Sequence, residues 1–376
     1  MIKVVHFIHG LSMGGAETLV KNYALFLDKT KFNVTVLCYE HFDSPYEDLL
    51  RQNNIDVIYV CDQIPKYRKP NLITRVLNHY RLDWSIRKEL NKQNPDIVHF
   101  HLGLSRYIRY ARLKKNVHLF YTQHFSTDTL EKECPEYITN IKWLLRHYDV
   151  HLIALHEAMK KSMDRIFQIN STKVLNNGVD MEAFRSPLNL EEKRAELGIP
   201  SNAFVVVHVG RFDPVKNHDF LVEVFAELKK KNENAFLLMV GRGETEQQVC
   251  DKLKKLGLED SYKILHDRTD VAEILRACDA AAFPSISEGV PLTLIEMQAA
   301  GLPCVVSSGV PKDVCISNRI RFLGLKLSAE KWAVELLEMS NANTPIQYYG
   351  IEEWDIRHNV KQLEMMYEDA MMCERD

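Results

Sequence analysis

The sequence runs to 376 residues, 26% of them charged, with a formal net charge of −3 and eight cysteines. That length accommodates two domains of ordinary size, each with its own core. No apolar run approaches the ~20 residues of a membrane span, and no nucleic-acid motif accompanies the basic residues, which sets both of those classes aside.

Charge is unevenly shared. Residues 1–178 carry 25 Lys and Arg against 18 Asp and Glu, a balance of +7, and the remainder carries −10. A basic first half points to an anionic partner there. Cys38, Cys61, Cys134, Cys250, Cys278, Cys304, Cys315 and Cys373 are scattered, which fits a reduced, cytosolic compartment. There is no His-Glu-x-x-His and no Asp-x-Asp near a strand end, so neither a metal nor another cofactor is expected.

The start, Met1-Ile2-Lys3-Val4-Val5, runs straight into a strand and does not read as a signal peptide. Lys3 to Ile8 is a buried strand, followed by the glycine loop His9 to Glu17 and a helix to about Leu27. Such a turn suits an anion, although taken alone a tight strand-to-helix connection is the readier explanation. It lacks the Gly-Lys-Ser/Thr ending of a P-loop. Phe32 to Cys38 and Ile55 to Val60 are further strands, and their alternation with helix-length segments implies parallel β-α units in a doubly wound sheet.

Beyond Pro65-Lys66-Tyr67-Arg68-Lys69-Pro70, the residues Leu72, Ile73, Val76, Leu77, Tyr80 and Trp84 share one helical face, with Arg75, Arg81, Arg87 and Lys88 around the rest. Arg106, Arg109, Arg112, Lys114 and Lys115 form a second basic cluster. A core-packed helix with a solvated basic face is one reading. It is the readier one for either segment taken singly, and the two clusters together with the +7 balance make a helix lying on an anionic membrane surface the alternative. Asp96 to His101 and Phe120 to His124 are strands ending in histidines, at the edge where a parallel sheet binds ligands. Ile153 to His156 starts the last unit of the first domain, and Asn177-Gly178-Val179-Asp180 forms a turn.

In the second half, the strand Phe204 to Val209 is followed by Gly210, with Arg211 and Lys216 five apart. That places two cations above the sheet edge. Phe236 to Val240 leads to Gly241-Arg242-Gly243-Glu244, and Ile264 to Val271 holds Arg268. After a helix from Ala272 to Cys278 and a strand from Ala280 to Phe283 comes Ser285 to Pro303. Pro291 suits a first helical turn, Leu292, Ile295 and Ala299 recur at helical spacing, and Gly301 with Pro303 end the helix. Its N-terminus favours phosphate. Glu288 and Glu296 are eight positions apart, at most about 12 Å along a helix.

Glu288 and Glu296 with their flanks resemble the Glu-x7-Glu motif of the GT-B-fold retaining glycosyltransferases, specifically glycosyltransferase family 4. Val305 to Val314 and Lys331-Trp332-Ala333 resemble an exopolysaccharide and capsular polysaccharide branch of that family. The resemblance implies an α/β chain of two Rossmann-like doubly wound domains with an inter-domain cleft. Residues 1–178 would bind the acceptor, 179–352 the nucleotide-sugar, and 353–376 would form a helix returning to the first domain. Trp354, Ile356, Val360, Leu363, Met366 and Tyr367 make its stripe.

Carried over residue by residue, Gly14 and Gly15 match a loop that approaches the donor pyrophosphate. Arg211 and Lys216 match a pair that binds the diphosphate in place of a metal. Backbone around Arg268 would meet the base, although His266-Asp267 stands where relatives carry glycine, and Gly241 lines the same donor site. Glu288 would hold sugar hydroxyls and Glu296 the ribose. Gly289, Val290, Pro291, Leu292 and Thr293 would present the helix start to the phosphates. His124 would contact the reacting sugar, and His101 would be structural.

The expected activity is metal-independent, retaining transfer of a hexosyl group from a nucleotide-sugar, a UDP-sugar, to a saccharide acceptor linked to a lipid diphosphate, in cell-surface polysaccharide synthesis. The catalytic set would be Glu288, His124, Arg211 and Lys216. The protein would be cytoplasmic and peripheral on the inner face of the membrane. A non-hydrolysing UDP-sugar epimerase and a catalytically silent sugar-nucleotide or glycan-lipid binding subunit are the other readings open at this point.

Overall fold

A computed structural model describes residues 1–63, 72–125, 127–342 and 344–372. The basic stretch at 65–70, the side chains of Leu72, Ile73, Arg75, Val76 and Leu77, and Cys373 therefore lie outside the description. The chain divides into two compact units. Met1–Gly178 with the segment from Ile356 forms one, and Val179–Asp355 the other.

The first unit holds β1 (Ile2–Ile8), β2 (Phe32–Cys38), β3 (Asp56–Tyr59), β4 (Ile97–His101), β5 (His118–Thr122), β6 (Asp149–Ala154) and β7 (Lys173–Val174). Among the described residues they form one parallel sheet in the order β3-β2-β1-β4-β5-β6-β7. β4 and β5 are buried along their whole length, as strands covered on both faces must be, whereas edge strand β3 is short and half-buried. The covering helices bury one stripe each. Helix Glu157–Phe167 buries Met159, Met163, Ile166 and Phe167, and His156 caps it by accepting the Met159 N–H.

The C-terminal helix, Ile356–Met372, buries Ile356, Val360, Leu363 and Tyr367 and packs on helix Gly15–Phe26 of the first unit. Tyr367 stands edge-on to Phe120, ring centroids 4.8 Å apart. Trp354 departs from the expected stripe. It sits in a 3-10 turn, Ile351–Trp354, packs into the core of the second unit, and its carbonyl accepts the Val179 N–H at 2.8 Å. The second unit therefore extends to Asp355, three residues past the expected boundary at 352.

The second unit holds β8 (Phe204–Val209), β9 (Ala235–Val240), β10 (Tyr262–Leu265), β11 (Ala280–Phe283), β12 (Cys304–Ser307) and β13 (Ile320–Leu323). They form a parallel sheet in the order β10-β9-β8-β11-β12-β13. Strand order reverses between β1 and β4 in one sheet and between β8 and β11 in the other. Ligands of open α/β sheets bind at such switch points, beyond the strand C-termini.

One face differs from a core-packed reading. Helix Leu72–Gln93 buries Leu82, Ile86 and Leu90, a row at i, i+4 and i+8 that meets helix Ser105–Ala111. Tyr80 and Trp84 are consequently 68% and 61% exposed. Among the described residues no helix is long and apolar enough to cross a membrane.

Candidate active site

At the switch point of the second unit, two loops meet. The first leaves β8 at Gly210. Asp213 accepts the Lys216 N–H at 3.1 Å and so closes the 3-10 turn Pro214–Lys216, after which Asn217 takes a left-handed conformation (φ +56°) that turns the chain into helix His218–Lys231. The second loop leaves β11. The two are fastened by Ile286 N–H to Val215 O at 2.8 Å and by Asn217 Nδ2 to Pro284 O at 3.2 Å.

This fastening brings together residues 72 positions apart. Lys216 Nζ lies 2.7 Å from Glu288 Oε1 and 5.3 Å from the centre of the Phe283 ring. The two side chains are 17% and 11% exposed, so each charge is largely desolvated and depends on the other. Arg211 is different: its side chain is 78% exposed, with Nε 3.4 Å from Asp213 Oδ2. Beneath Lys216 lie His208 and His218, whose pKa values are lowered by burial first, and for His218 by the nearby lysine second. For His208, the His218 ring also contributes. Both imidazoles are neutral at physiological pH, which leaves Lys216 as the cation there.

The neighbouring loops follow in strand order. Gly241, after β9, has φ +151°, and a Cβ there would fall 2.1 Å from Gly210 O. Glycine at 241 thus lets two site loops touch, a structural need independent of any ligand. Arg268 follows edge strand β10, three strands from Glu288, or roughly 14 Å at the usual inter-strand spacing. Its guanidinium is committed within the protein, to Asp270 at 2.7 Å through Nε and to Glu196 at 2.8 Å through Nη2. Lys193 joins the network at 2.5 Å from Asp270. Burial alone would raise the Asp270 carboxyl, but its bonds to Arg268 and Lys193 outweigh it and bring the pKa to about 2. Asp267, in place of the expected glycine, adopts φ +51° and pairs with Arg242 at 2.5 Å.

The helix after Glu288 begins at Leu292 and runs to Ala299. Pro291, expected in its first turn, precedes it as the cap with ψ 93°, and without an N–H it has nothing to donate to a phosphate. The N–H groups of Gly289, Val290, Leu292 and Thr293 remain. Glu296 sits within the helix, half-buried. At Gly289, and at Gly15 in the first unit, a Cβ would meet nothing within 4 Å.

In the first unit, Gly14 is the N-cap of helix Gly15–Phe26, and Thr18 Oγ1 donates to Gly14 O at 2.8 Å. A Cβ at Gly14 would lie 2.3 Å from the Glu17 carboxylate, which accepts from Ser12 Oγ at 3.1 Å. His124, just past β5, does not stand alone. Its Nε2 is 3.0 Å from His101 Nδ1, and His101 Nε2 is 3.2 Å from His6 Nδ1. His6 and His101 are fully buried. Residue-type spacing does not mark His6, because its hydrogen-bond partner His101 lies 95 positions away on another strand.

Three groups among the described residues are close enough to hold a metal ion: His6, His99 and His101; His118, Asp149 and His151; and His41, Asp43 and Glu47. In the first, both nitrogens of His99 are already hydrogen-bonded, to Tyr367 Oη and Thr122 Oγ1 at 2.7 Å each. In the second, Asp149 Oδ2 takes both histidines at 2.8 and 2.9 Å. In the third, His41 Nε2 is 2.9 Å from Asp43 and 3.1 Å from Glu47.

Residues 13–183 match the family described as Glycosyltransferase Family 4, and residues 189–345 match Glycosyl transferases group 1. A putative glycosyltransferase, EpsF of Bacillus subtilis, is 25% identical over 97% of this chain and 96% of its own. The UDP-Gal:alpha-D-GlcNAc-diphosphoundecaprenol alpha-1,3-galactosyltransferase of Escherichia coli is 27% identical, over 84% of this chain and 82% of its own. The crystal structure of Anabaena HepE in complex with UDP and glucose superposes with a TM-score of 0.74 at 19% identity, covering 98% of this chain and 100% of that one.

Proposed function

This chain belongs to glycosyltransferase family 4, with the GT-B fold, and on that premise we propose that it is a retaining transferase that moves a sugar from a UDP-sugar to a lipid-diphosphate-linked saccharide, without a metal, in cell-surface polysaccharide synthesis. The observation that carries the proposal is the Lys216–Glu288 pair at the β8/β11 switch point, with the largely exposed Arg211 on the same loop. UDP in HepE and UDP-Gal in the name of the Escherichia coli transferase support the choice of donor. The diphosphoundecaprenol in that same name supports the acceptor class.

The chemistry follows from charge. When the C1–O bond of the donor breaks, negative charge develops on the diphosphate, and Lys216, Arg211 and the N–H groups of Gly289 and Leu292 offset it without reorganising. The open space at Gly289 is where a phosphate would approach the backbone. Glu288 holds hydroxyls of the sugar while its charge is balanced by Lys216. A carboxylate stabilised in this way is a weak nucleophile, which favours front-face displacement over a glycosyl-enzyme. The acceptor hydroxyl bonds to C1 on the side the diphosphate leaves, its proton passes to the departing phosphate oxygen, and the anomeric configuration is kept. Glu296 bonds the ribose, loop backbone near Arg268 the base, and His124 is a substrate contact of the first unit.

The exposed face of helix Leu72–Gln93 gives the basic unit its partner, an anionic membrane surface. Lys88 Nζ lies 5.1 Å from the centre of the exposed Trp84 ring. Arg106 and Arg109 each flank Tyr110, which is 50% exposed, at 5.7 Å. Aromatic rings with cations beside them are the side chains that settle at a headgroup layer.

The test is direct transfer. Purified protein is given UDP-sugars and a polyprenyl-diphosphate saccharide in EDTA, and the product's anomeric configuration is read by NMR. A product of inverted configuration would end the front-face reading. Interconversion of the donor with no acceptor present would favour an epimerase instead.

A further inference from the structure

The three imidazoles of His6, His101 and His124 form one hydrogen-bonded row, and its two contacts constrain each other. The Nδ1 of His6 faces Nε2 of His101 at 3.2 Å, and Nδ1 of His101 faces Nε2 of His124 at 3.0 Å. Burial lowers the pKa of all three, and for His101 the neighbouring histidines lower it further, so each ring is neutral and carries one proton. Each N···N contact needs one donor and one acceptor. Only two head-to-tail arrangements satisfy both contacts. Either all three rings are protonated on Nδ1, or all three on Nε2.

The buried end decides between them. His6 Nε2 is buried and has no hydrogen-bond partner. In the Nε2–H arrangement that atom would be an orphaned N–H, whereas in the Nδ1–H arrangement it is a lone pair. Orphaned buried N–H groups are the rarer and costlier of the two. The Tyr23 hydroxyl, also buried and without a partner, belongs to a ring 5.9 Å from that of His6. Burial holds that phenol protonated.

We propose that His101, backed by His6, is a positioning residue that fixes His124 as its Nδ1–H tautomer, so that His124 offers its substrate a hydrogen-bond donor at Nδ1. Among the described residues nothing bonds His124 Nδ1, and the side chain is half-buried. The donor suits a sugar hydroxyl or a phosphate oxygen. The substrate part of the inference rests on the reading of His124 as a substrate contact, whereas the tautomer part does not. A metal bound by the same cluster is the competing use, and it is weakened because His99 has no nitrogen to spare.

The experiment is a long-range 1H–15N correlation spectrum of the full chain labelled at histidine, with the His124 signals assigned by their loss in His124→Gln. Free histidine favours Nε2–H, so an Nδ1–H pattern at His124 is the distinctive result expected. His101→Phe removes the donor to His124 Nε2, so the single Nδ1–H pattern should give way to a mixture of tautomers, and kcat should fall by about tenfold or more with donor KM little changed. His101→Asn, whose amide can donate from the Nδ1 position, should restore both, which a merely structural role would not do. Nε2–H at His124 in the unaltered protein, a His124 signal indifferent to His101→Phe, or displacement of the ring protons by Zn2+ would each overturn the proposal. An Nδ1–H signal with transfer untouched by His124→Gln would leave the tautomer assignment standing and remove the substrate role of His124.

Discussion

Replacing Lys216 with Met separates what this side chain does for folding from what it does for transfer. Lys216 and Glu288 are 17% and 11% exposed and 2.7 Å apart, so removal of the lysine strands a carboxylate with little water around it. Breaking such a pair costs about 3 kcal/mol. For a unit of this size that lowers Tm by roughly 6–12 °C. Turnover should fall further, by about 10²–10³, the usual result of removing one charge-stabilising group from a polar transition state. The double variant Lys216→Met/Glu288→Gln carries no stranded charge, so most of the lost stability should return while activity does not. Thermal unfolding and initial rates on the three variants and the parent close the cycle. Activity that recovers together with Tm in the double variant would refute the assignment, because the pair would then be structural only.

Arg211→Ala should leave stability within about 0.5 kcal/mol of the parent, as its side chain is 78% exposed, and raise donor KM or lower kcat/KM by about 10–100-fold through loss of a charge-assisted bond. Unchanged kinetics would remove it from the site. Asp270, held at about 2 in the folded chain, has a folded pKa below its unfolded value of ~3.9. Its stabilisation is therefore complete above about pH 4 and lost as pH falls toward 2, roughly 2 kcal/mol in all. Acid titration of the parent against Asp270→Asn should show that difference at pH 6 and its disappearance near pH 2. Tyr80→Ser/Trp84→Ser should weaken sedimentation with anionic vesicles and leave Tm unchanged. Parent binding should fade with added salt, and equal binding to neutral vesicles would argue against the basic surface.

Much of the architecture can be read from local pattern. Strands buried on both faces, such as Ile97–His101 and Phe204–Val209, appear as continuous apolar runs, and their alternation with amphipathic stretches implies parallel sheets. The cations at 211 and 216 are placed by a short loop directly after a strand, which is why their position above the sheet edge is visible in one dimension. What is invisible is pairing at long range. That Lys216 is neutralised by Glu288, that Arg268 is taken by Glu196 and Asp270, and that His124 leans on His101 and His6 all depend on which strands become neighbours. Trp354 shows the same limit. It continues the apolar rhythm of Ile356 and Val360, yet the chain bends at Asp355 and the indole packs into the other core. The outward turn of Tyr80 and Trp84 likewise follows from the row Leu82, Ile86 and Leu90 winning the contact with the next helix.

Crystals of the protein grown with UDP in the presence of EDTA bear most directly on the central claim. The expected density places the diphosphate on the second unit, between Arg211 and Lys216 on one side and the helix start at Leu292 on the other, with the ribose at Glu296. Nucleotide bound away from the β8/β11 edge, or seen solely after magnesium or manganese is added, would contradict it.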